Sequence, residues 1–329
     1  MTGGGAVAVE TAPLVDAAAR DAYAALAAAS PQRTVFAGLA FADAACAAFG
    51  LGGRIALGRA PDGQATIGAV LFEKRTGPLR QIVVPPLTPY TGPLFAGEVG
   101  IGSADTVRTF LAAVTKGAAS VAFHLSPAVA DVRPFLWAGF DATPRYTYWG
   151  ASGLDAAPHY VRRRLKRYAP HRADGTVRPD GTTTARDDEA AAEVVQATAD
   201  AFTRRGLPAP VDAGTAEALV RSLVAAGVAR IVVAETDGQR VGAVATLADD
   251  RTGHFWNGAG EPGPAMMLMM AATSAGLAAD GVQSFDLAGA NLASIAAFKA
   301  QFGLPLAVHY RVSWTGARAL RLRDALRAA

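Results

Sequence analysis

Hairpins and helical segments alternate along both halves of the chain, and this mixture restricts the fold more than any other feature of the sequence. In the first half, the alternating segments 53–57 and 65–73 flank a Pro-Asp-Gly turn. In the second half, segments 230–235 and 240–248 flank Thr-Asp-Gly-Gln in the same way. Hairpins produce antiparallel strands, whereas intervening helical segments allow parallel neighbours. The pattern therefore predicts an α+β fold, with a mixed β-sheet flanked by helices in each half.

A cluster of glycine, serine, aspartate and proline over 150–158 separates the two halves. We therefore expect an N-terminal domain over 1–152 and a C-terminal domain over 153–312, followed by a tail, 313–329, that contains a basic helix over 317–327. The length agrees with this division, because the chain has 329 residues and domains average roughly 150 residues.

Composition excludes several classes of protein. Hydrophobic residues make up 51% of the chain and charged residues 18%, which supports a large buried core and excludes a disordered chain. The single cysteine excludes an intramolecular disulfide and a cysteine-cluster zinc site, and the scattered histidines predict no metal. The N-terminus lacks a basic signal-peptide region, and no uncharged stretch is long and unbroken enough to span a membrane, so we expect a cytoplasmic protein. A net charge of +3 permits an anionic substrate.

The helical segment 292–302 carries a lysine on its apolar side. Its apolar stripe consists of Leu292, Ile295, Phe298 and Phe302. Lys299 lies within this stripe, where a charge must reach solvent, pair with an acid or serve a cleft. Asp286, at the end of the preceding strand, is a candidate partner, and Asn291 is a candidate N-cap. The pattern leaves open a structural ion pair and a catalytic or phosphate-binding lysine.

A glycine-rich run at 258–263 reads Gly-Ala-Gly-Glu-Pro-Gly and lies between a predicted strand and a predicted helix. Such a run can cradle a pyrophosphate with backbone N–H groups, as a dinucleotide loop or a degenerate acyl-CoA loop. Pro262 and Pro264 remove donors from such a cradle, and they also suit a plain turn with Pro264 at the first helical position.

The strand before this run ends with His254, Phe255, Trp256 and Asn257. At the open end of a sheet, Trp256 and Asn257 are candidate substrate contacts, and His254 and Asp286 are candidate general bases. The alternative is a pair of core aromatic residues followed by a capping asparagine.

Two further segments are candidates for ligand contact. The proline-rich loop 85–93 is stiff and could present Thr88 and Tyr90 as a substrate wall, or it could be an irregular crossover. The run 162–167 contains five cations and suits either a solvated helix face or a phosphate or RNA contact. The candidate phosphate-binding residues there are Arg162, Arg163, Lys166 and Arg167.

Several segments together resemble the FemAB-like transferases of the GNAT superfamily. The most specific are Phe-Asp-Leu-Ala-Gly-Ala-Asn at 285–291 and Phe-Lys-Ala-Gln-Phe-Gly at 298–303, followed by His-Tyr-Arg at 309–311. The loop 85–93, the basic helix and the segment 201–208 occur in the matching order, so the resemblance covers most of the chain.

The resemblance implies two GNAT-like domains, with a catalytic cleft on the second, substrate contacts from the first and the tail 313–329 packed back on the first. It implies transfer of an aminoacyl group from charged tRNA, or of an acyl group from acyl-CoA, to an amine on a peptidoglycan precursor or a small molecule. Lys299 is then expected to stabilise negative charge on a phosphate or on the developing oxyanion. The chain lacks the coiled-coil arm of Fem transferases and the Q/R-x-x-G-x-G/A loop of ordinary GNAT enzymes.

We therefore expect an amide-forming enzyme with no permanently bound cofactor, in which the donor is a co-substrate and charged tRNA is slightly favoured over acyl-CoA. Lys299, Asp286 and His254 are the expected catalytic residues; the expected substrate contacts are Thr88, Tyr90, Trp256, Asn257 and Asn291. A hypothesis of another class is a non-catalytic module that binds a nucleotide or RNA, whose affinity would fall steeply with salt. The oligomeric state stays open.

Overall fold

The computed structural model describes residues 7–153, 159, 162–163, 177–180, 187–236, 239–260 and 265–316. The chain divides into two compact units. Unit 1 contains the residues up to Arg145 together with those from Val308 onward, and unit 2 contains Tyr146–Ala307. The division thus falls within strands, at 145/146 and 307/308, rather than at the predicted positions after 152 and 312.

Unit 1 is a mixed sheet with helices packed on it. Its strands are β1 (Ala8–Pro13), β2 (Gly52–Arg59), β3 (Ala65–Thr76), β4 (Leu79–Val83), β5 (Leu94–Phe95) and β6 (Ser120–His124), and most of β13 (Leu306–Thr315). Its helices are α1 (Ala17–Ala29), α2 (Leu39–Phe49), α3 (Ala104–Thr115) and α4 (Arg133–Trp137). The strand order is β1-β2-β3-β4-β6-β13, with β5 on β3, and β4 and β6 are the parallel pair.

Local sequence explains the helix ends of unit 1. The Asp16 side chain accepts from the Ala19 N–H at 2.9 Å and so caps α1. Helix α2 ends at Gly50, which adopts the left-handed conformation with φ 60°. Helix α3 buries Val107, Phe110, Leu111 and Val114, a stripe with helical spacing that packs into the apolar core of the unit.

Unit 2 is a second mixed sheet, covered on both faces. Its strands are β7 (Asp141–Ala151, from Tyr146 onward), β8 (Val177–Asp180), β9 (Ala229–Thr236), β10 (Gln239–Ala248), β11 (Thr252–Gly260) and β12 (Ser284–Asp286). Its helices are α5 (Asp187–Thr203), α6 (Ala213–Ala225), α7 (Ala265–Ala279) and α8 (Ala293–Ala300). The strand order is β7-β12-β11-β10-β9-β8, with β11 and β12 parallel.

Alternation along β9 shows how the sheet of unit 2 is covered. Ile231 and Val233 pack with the apolar side chains of α5 and α6, whereas Val232 and Ala234 pack with those of α7. Helix α7 has nine buried residues, in agreement with a sequence that is apolar on every side.

The predicted fold class, α+β with a mixed β-sheet flanked by helices in each half, is confirmed by this architecture. Some elements differ from the sequence prediction. Strands β1 and β8 and helices α2 and α4 were not predicted. The predicted terminal helix over 317–327 lies outside the described residues. Among the helices that the structure describes, none is long and apolar enough to cross a membrane.

Candidate functional site

Strands β11 and β12 separate in the middle of unit 2. They pair in parallel only as far as His254 opposite Asp286, while β11 continues beside β10 to Gly260. After Asp286 the chain turns through Ala288 and Gly289, whose φ angles of 46° and 75° are both left-handed. The separation leaves the β12-facing edge of β11 open beyond His254, where alternate backbone N–H and C=O groups point outward.

A β-bulge lies at the start of this open edge. Asn257 and Phe255 of β11 pair with two consecutive residues of β10, Ala245 and Thr246. Trp256 therefore has no partner residue on β10 and is the extra residue of the bulge. Trp256 packs against the apolar cluster of α5 and α6. The buried Asn257 accepts a hydrogen bond from Thr198 of α5 at 3.0 Å. The bulge therefore turns two consecutive side chains toward the same helices.

A buried polar network joins the two strands where they separate. Asp286 accepts from the Thr147 hydroxyl of β7 at 2.5 Å and from the Ala288 N–H at 2.9 Å. Its other oxygen lies 2.8 Å from Nδ1 of His254. Both His254 and Asp286 are fully buried, and Trp149 contacts the His254 ring edge-on with centroids 5.5 Å apart.

The hydrogen bonds decide the charge of Asp286. Burial by itself raises the pKa of this carboxyl group. The hydrogen bonds from His254, Thr147 and the Ala288 N–H, together with the charge of His254, lower the pKa by a larger amount. The resulting pKa of Asp286 therefore lies below its usual value. Asp286 is therefore an ionised acceptor that fixes three donors from three different segments.

Lys299 of α8 lies directly beneath the turn that follows β12. Its ammonium donates to the carbonyls of Leu287 and Ala288, and to that of Gly289 at 2.8 Å. Burial lowers the pKa of Lys299 to about 8, although the nearby charge of Asp286 raises it. These three carbonyls match the three protons of an ammonium group. Lys299 thus fixes the turn at which the chain leaves β12 and moves away from β11. A substrate oxygen could bind the ammonium group of Lys299 only by replacing one of the three carbonyls.

Two glycines shape the far end of β11. Gly258 has φ 137°, and a Cβ there would lie 2.2 Å from the carbonyl oxygen of Ala243 on β10. A Cβ on Gly260 would lie 3.2 Å from the Cβ of Ala265, the first residue of α7. These positions of the glycine-rich run therefore serve close packing of backbone and helix. The rest of the run, 261–264, lies outside the described residues.

A cleft of about 150 Å³ lies between α5 and the ends of β10 and β11. Its charged and amide residues are Glu193, Gln196 and Asp200 on α5 and Arg204, which directly follows this helix. Arg204 donates to the Gly260 carbonyl at 3.1 Å, and Gln196 donates to Asp200 at 2.7 Å. The cleft therefore presents two carboxylates beside the end of the open strand.

The remaining predicted site residues are more dispersed. Thr88 and Tyr90 belong to unit 1 and are 5% and 2% exposed, so the proline-rich loop turns both inward rather than presenting them. Asn291 accepts from the Tyr146 N–H at 3.1 Å and is not the N-cap of α8, which is Leu292. Arg162 and Arg163 are exposed on a helical segment, whereas Lys166 and Arg167 lie outside the described residues.

The sequence analysis did not identify several residues of this site. Thr147 is the one small polar residue in the aromatic segment Arg-Tyr-Thr-Tyr-Trp at 145–149, and that contrast was the available signal. Glu193 and Asp200 are seven residues apart on α5, a spacing that places them on the same side of the helix. No local signal linked them to β11.

Comparisons with known proteins give one matching domain family and several similar folds. Residues 157–300 match the family described as the acetyltransferase (GNAT) domain. The crystal structure of FemX matches with a TM-score of 0.66 and 12% identity, over 92% of this chain and 96% of that chain. The L-PGS structure from Bacillus licheniformis matches with a TM-score of 0.54 and 13% identity, over 99% of this chain and 97% of that chain.

A tandem GNAT protein from the clavulanic acid biosynthesis pathway matches with a TM-score of 0.53 and 14% identity, over 94% of this chain and 99% of that chain. No curated protein sequence matches the chain. The structural likenesses establish the fold, and the domain match favours an enzyme over the non-catalytic binding module. Residues 157–300 thus match a GNAT acetyltransferase domain, and the fold of the chain is similar to that of FemX.

Proposed function

We propose that the chain forms an amide by moving an aminoacyl or acyl group from an activated donor to an amine acceptor. The observation that carries the proposal is the separation of β11 from β12 beside the bulge at Trp256. An open strand edge offers backbone N–H groups to a donor carbonyl, where they would stabilise the negative charge of a tetrahedral intermediate.

The reaction needs no nucleophile from the protein. The amine nitrogen of the acceptor attacks the carbonyl carbon of the ester or thioester, and the C–N bond forms as the C–O or C–S bond breaks. The proton lost by the nitrogen ends on the leaving alkoxide or thiolate. The open edge of β11 would orient the carbonyl for this attack.

Lys299, Asp286 and His254 act, in this proposal, by positioning the two strands. All three side chains are at most 8% exposed, and their bonds join β7, β11, β12 and the turn after β12. A displacement of about 1 Å at a reacting centre can cost about 10²-fold in rate, so a scaffold at this point matters to catalysis.

The cleft between α5 and the ends of β10 and β11 is the proposed binding site for the amine that accepts the transferred group. Glu193 and Asp200 would attract the ammonium form of an amine, and Gly260 places the cleft at the end of the donor-binding strand. The acceptor class is an amine on a peptidoglycan precursor or on a small molecule, and the reaction belongs to the cytoplasm, where such acceptors and activated donors occur together.

Aminoacyl-tRNA is the first candidate donor. Pro262 and Pro264 lack N–H groups, so the loop between β11 and α7 has fewer donors for a pyrophosphate. The exposed Arg162 and Arg163 are available to nucleic-acid phosphates.

Acyl-CoA is the second candidate donor. The observation in its favour is the start of α7 at Ala265, five residues beyond the end of β11, because a helix N-terminus there suits a pyrophosphate.

Donor discharge tests the proposal and separates these candidates. Purified protein is incubated with an amine and either charged tRNA or a series of acyl-CoA esters, while deacylated tRNA and released thiol are measured. Amine-dependent loss of the amino acid from tRNA supports the first donor, and amine-dependent thiol release supports the second. No amine-dependent discharge from any donor contradicts amide formation.

A paired variant tests the acceptor side. Asp200→Asn should raise KM for the amine several-fold with little change in donor affinity, whereas Asp105→Asn on α3 of unit 1 should change neither. Equal KM values in both variants would remove the cleft from the proposal.

A further inference from the structure

A group of basic side chains lies in unit 1, on the face of the sheet opposite its apolar core. His124 of β6 is paired directly with Arg311 of β13. His309 is two residues before Arg311, so all three side chains point to the same face. The neighbouring Phe123 and Val312 point the other way, into the core.

The proline-rich loop forms a wall of this region. Nδ1 of His124 lies 3.2 Å from the Thr88 carbonyl, and the His124 N–H donates to the Thr91 hydroxyl at 3.1 Å. The buried His309 meets the Tyr90 ring edge-on, with centroids 5.2 Å apart. A neutral His124 that donates from Nδ1 to the carbonyl keeps its Nε2 position for a further proton.

Positive charge accumulates here without internal compensation. The pKa of His124 is lowered to about 4, first by burial, then by Arg145, and also by His309 and Arg311, while the bond to Thr88 raises it. The charged neighbours that act on His124 in this shift are Arg145, His309 and Arg311. Within the described part of the chain, Arg145 and Arg311 form no ion pair, and Nε of Arg145 is buried without a hydrogen-bond acceptor.

We propose that Arg145, Arg311 and His124 form a binding site for an oxyanion, the phosphate or carboxylate group of a ligand. A guanidinium group presents N–H donors in a planar fork that fits such oxygens. A bound anion would supply the missing acceptor to Arg145 and offset the repulsion among the basic groups. The site belongs to unit 1, and the proposal goes beyond the transfer reaction and does not depend on it.

The proposal makes binding depend on pH in a defined direction. An anion beside His124 offsets the charges of Arg145, Arg311 and His309, so the pKa of His124 should rise from about 4 in the unliganded protein. If it returns to its ordinary value of about 6.5, the complex takes up a proton as the pH falls. Affinity for an anion that does not itself titrate should then increase about tenfold between pH 7.5 and pH 5.5.

Histidine NMR provides the test. The imidazole signal of His124, assigned with His124→Gln, is followed in the full-length protein during titrations with sulfate and with acetate, at constant ionic strength maintained with chloride. We expect a saturable shift and a raised pKa for His124. Stronger binding of sulfate would indicate a phosphate ligand, and stronger binding of acetate a carboxylate ligand.

Charge-matched variants decide whether the binding is local. Arg145→Gln should weaken anion binding at least tenfold and Arg311→Gln several-fold, whereas Arg75→Gln, an exposed arginine on β3, should have no effect. Thermal unfolding checks each variant, and the exposed Arg311 provides a test if Arg145→Gln does not fold. A titration without saturation, or an equal effect of all three variants, would overturn the proposal.

Discussion

The charged groups at the strand separation of unit 2 have partners within the fold, whereas Arg145 and Arg311 beside His124 in unit 1 form no ion pair in the described part of the chain. In unit 2, Asp286 receives donors from His254, Thr147 and the Ala288 backbone, and Lys299 donates to three carbonyls. In unit 1, Arg145 and Arg311 both lower the pKa of His124. Compensated groups fix one arrangement of the strands, whereas uncompensated charge favours an external partner. We therefore propose different purposes for the two mixed sheets, a scaffold for the transfer reaction in unit 2 and an anion site in unit 1.

The largest effect is expected from neutralising a compensated charge. Asp286→Asn leaves His254 and Thr147 without an ionised acceptor, and removal of one member of such a buried group costs about 3–5 kcal/mol. Urea unfolding should show this loss in the free energy of unfolding. Asp43→Asn is the matched control, because Asp43 forms an exposed pair with Arg20, and its loss should cost at most about 1 kcal/mol. Equal losses in the two variants would contradict the comparison.

Removal of Lys299 should affect the reaction most directly. Lys299→Met leaves three carbonyls without their donor and releases the turn after β12, so we expect transfer to slow by about 10²-fold or more. The protein should also unfold at a lower temperature, which a purely anion-stabilising lysine would not require. Single-turnover rates and thermal unfolding measure both effects. Near-normal turnover with unchanged stability would contradict the positioning role.

Gly258 tests whether the glycine-rich run has a packing role. Gly258→Ala would place a Cβ 2.2 Å from a β10 carbonyl at φ 137°, so we expect a loss of about 1–3 kcal/mol. Gly276→Ala in α7 is the control, because no atom lies within 4 Å of its added Cβ, and it should be neutral or stabilise by up to about 1 kcal/mol. Similar stability of the two variants would show that β10 and β11 adapt at Gly258.

The pKa of Lys299 predicts opposite trends in activity and stability. As the pH rises through about 8, the ammonium loses a proton and one of its bonds to the turn, so activity should fall in wild type but not in Lys299→Arg. The unfolded chain keeps this proton up to the ordinary lysine pKa of 10.5. Between about pH 8 and pH 10.5, Lys299 therefore takes up a proton when the chain unfolds. Its contribution to the free energy of unfolding accordingly rises with pH over this range. A pH–rate profile and pH-dependent unfolding test the two trends separately.

The smallest effect is expected from the uncompensated charge of unit 1. Arg145→Gln removes a repulsive charge and a buried Nε that has no acceptor. Stability in anion-free buffer should stay the same or increase by up to about 1 kcal/mol. Urea unfolding measures this change, and a loss comparable to that of Asp286→Asn would mean that the charges of both units are compensated internally.

The sequence predicted the regular elements with strong periodicity. Helix α7 was predicted over its full range, 265–279, because every turn contains buried apolar residues. The β9–β10 hairpin followed from alternation around a turn. Strand β1 and helix α2 were missed because one is short and partly polar, and the other is so rich in alanine that its pattern of apolar positions is weak.

Sequence alone determined the hairpin turn between β9 and β10, the apolar character of α7 and the place of Lys299 on an apolar helix stripe. These properties depend on neighbours a few residues apart, within one turn of helix or one hairpin. Tertiary structure decided the partners: His254 meets Asp286, Lys299 meets the carbonyls after β12, and Arg145 approaches His124. Such pairings depend on strand register and on the direction of a turn. They are settled by packing between segments far apart in the chain, where no local periodicity carries the information.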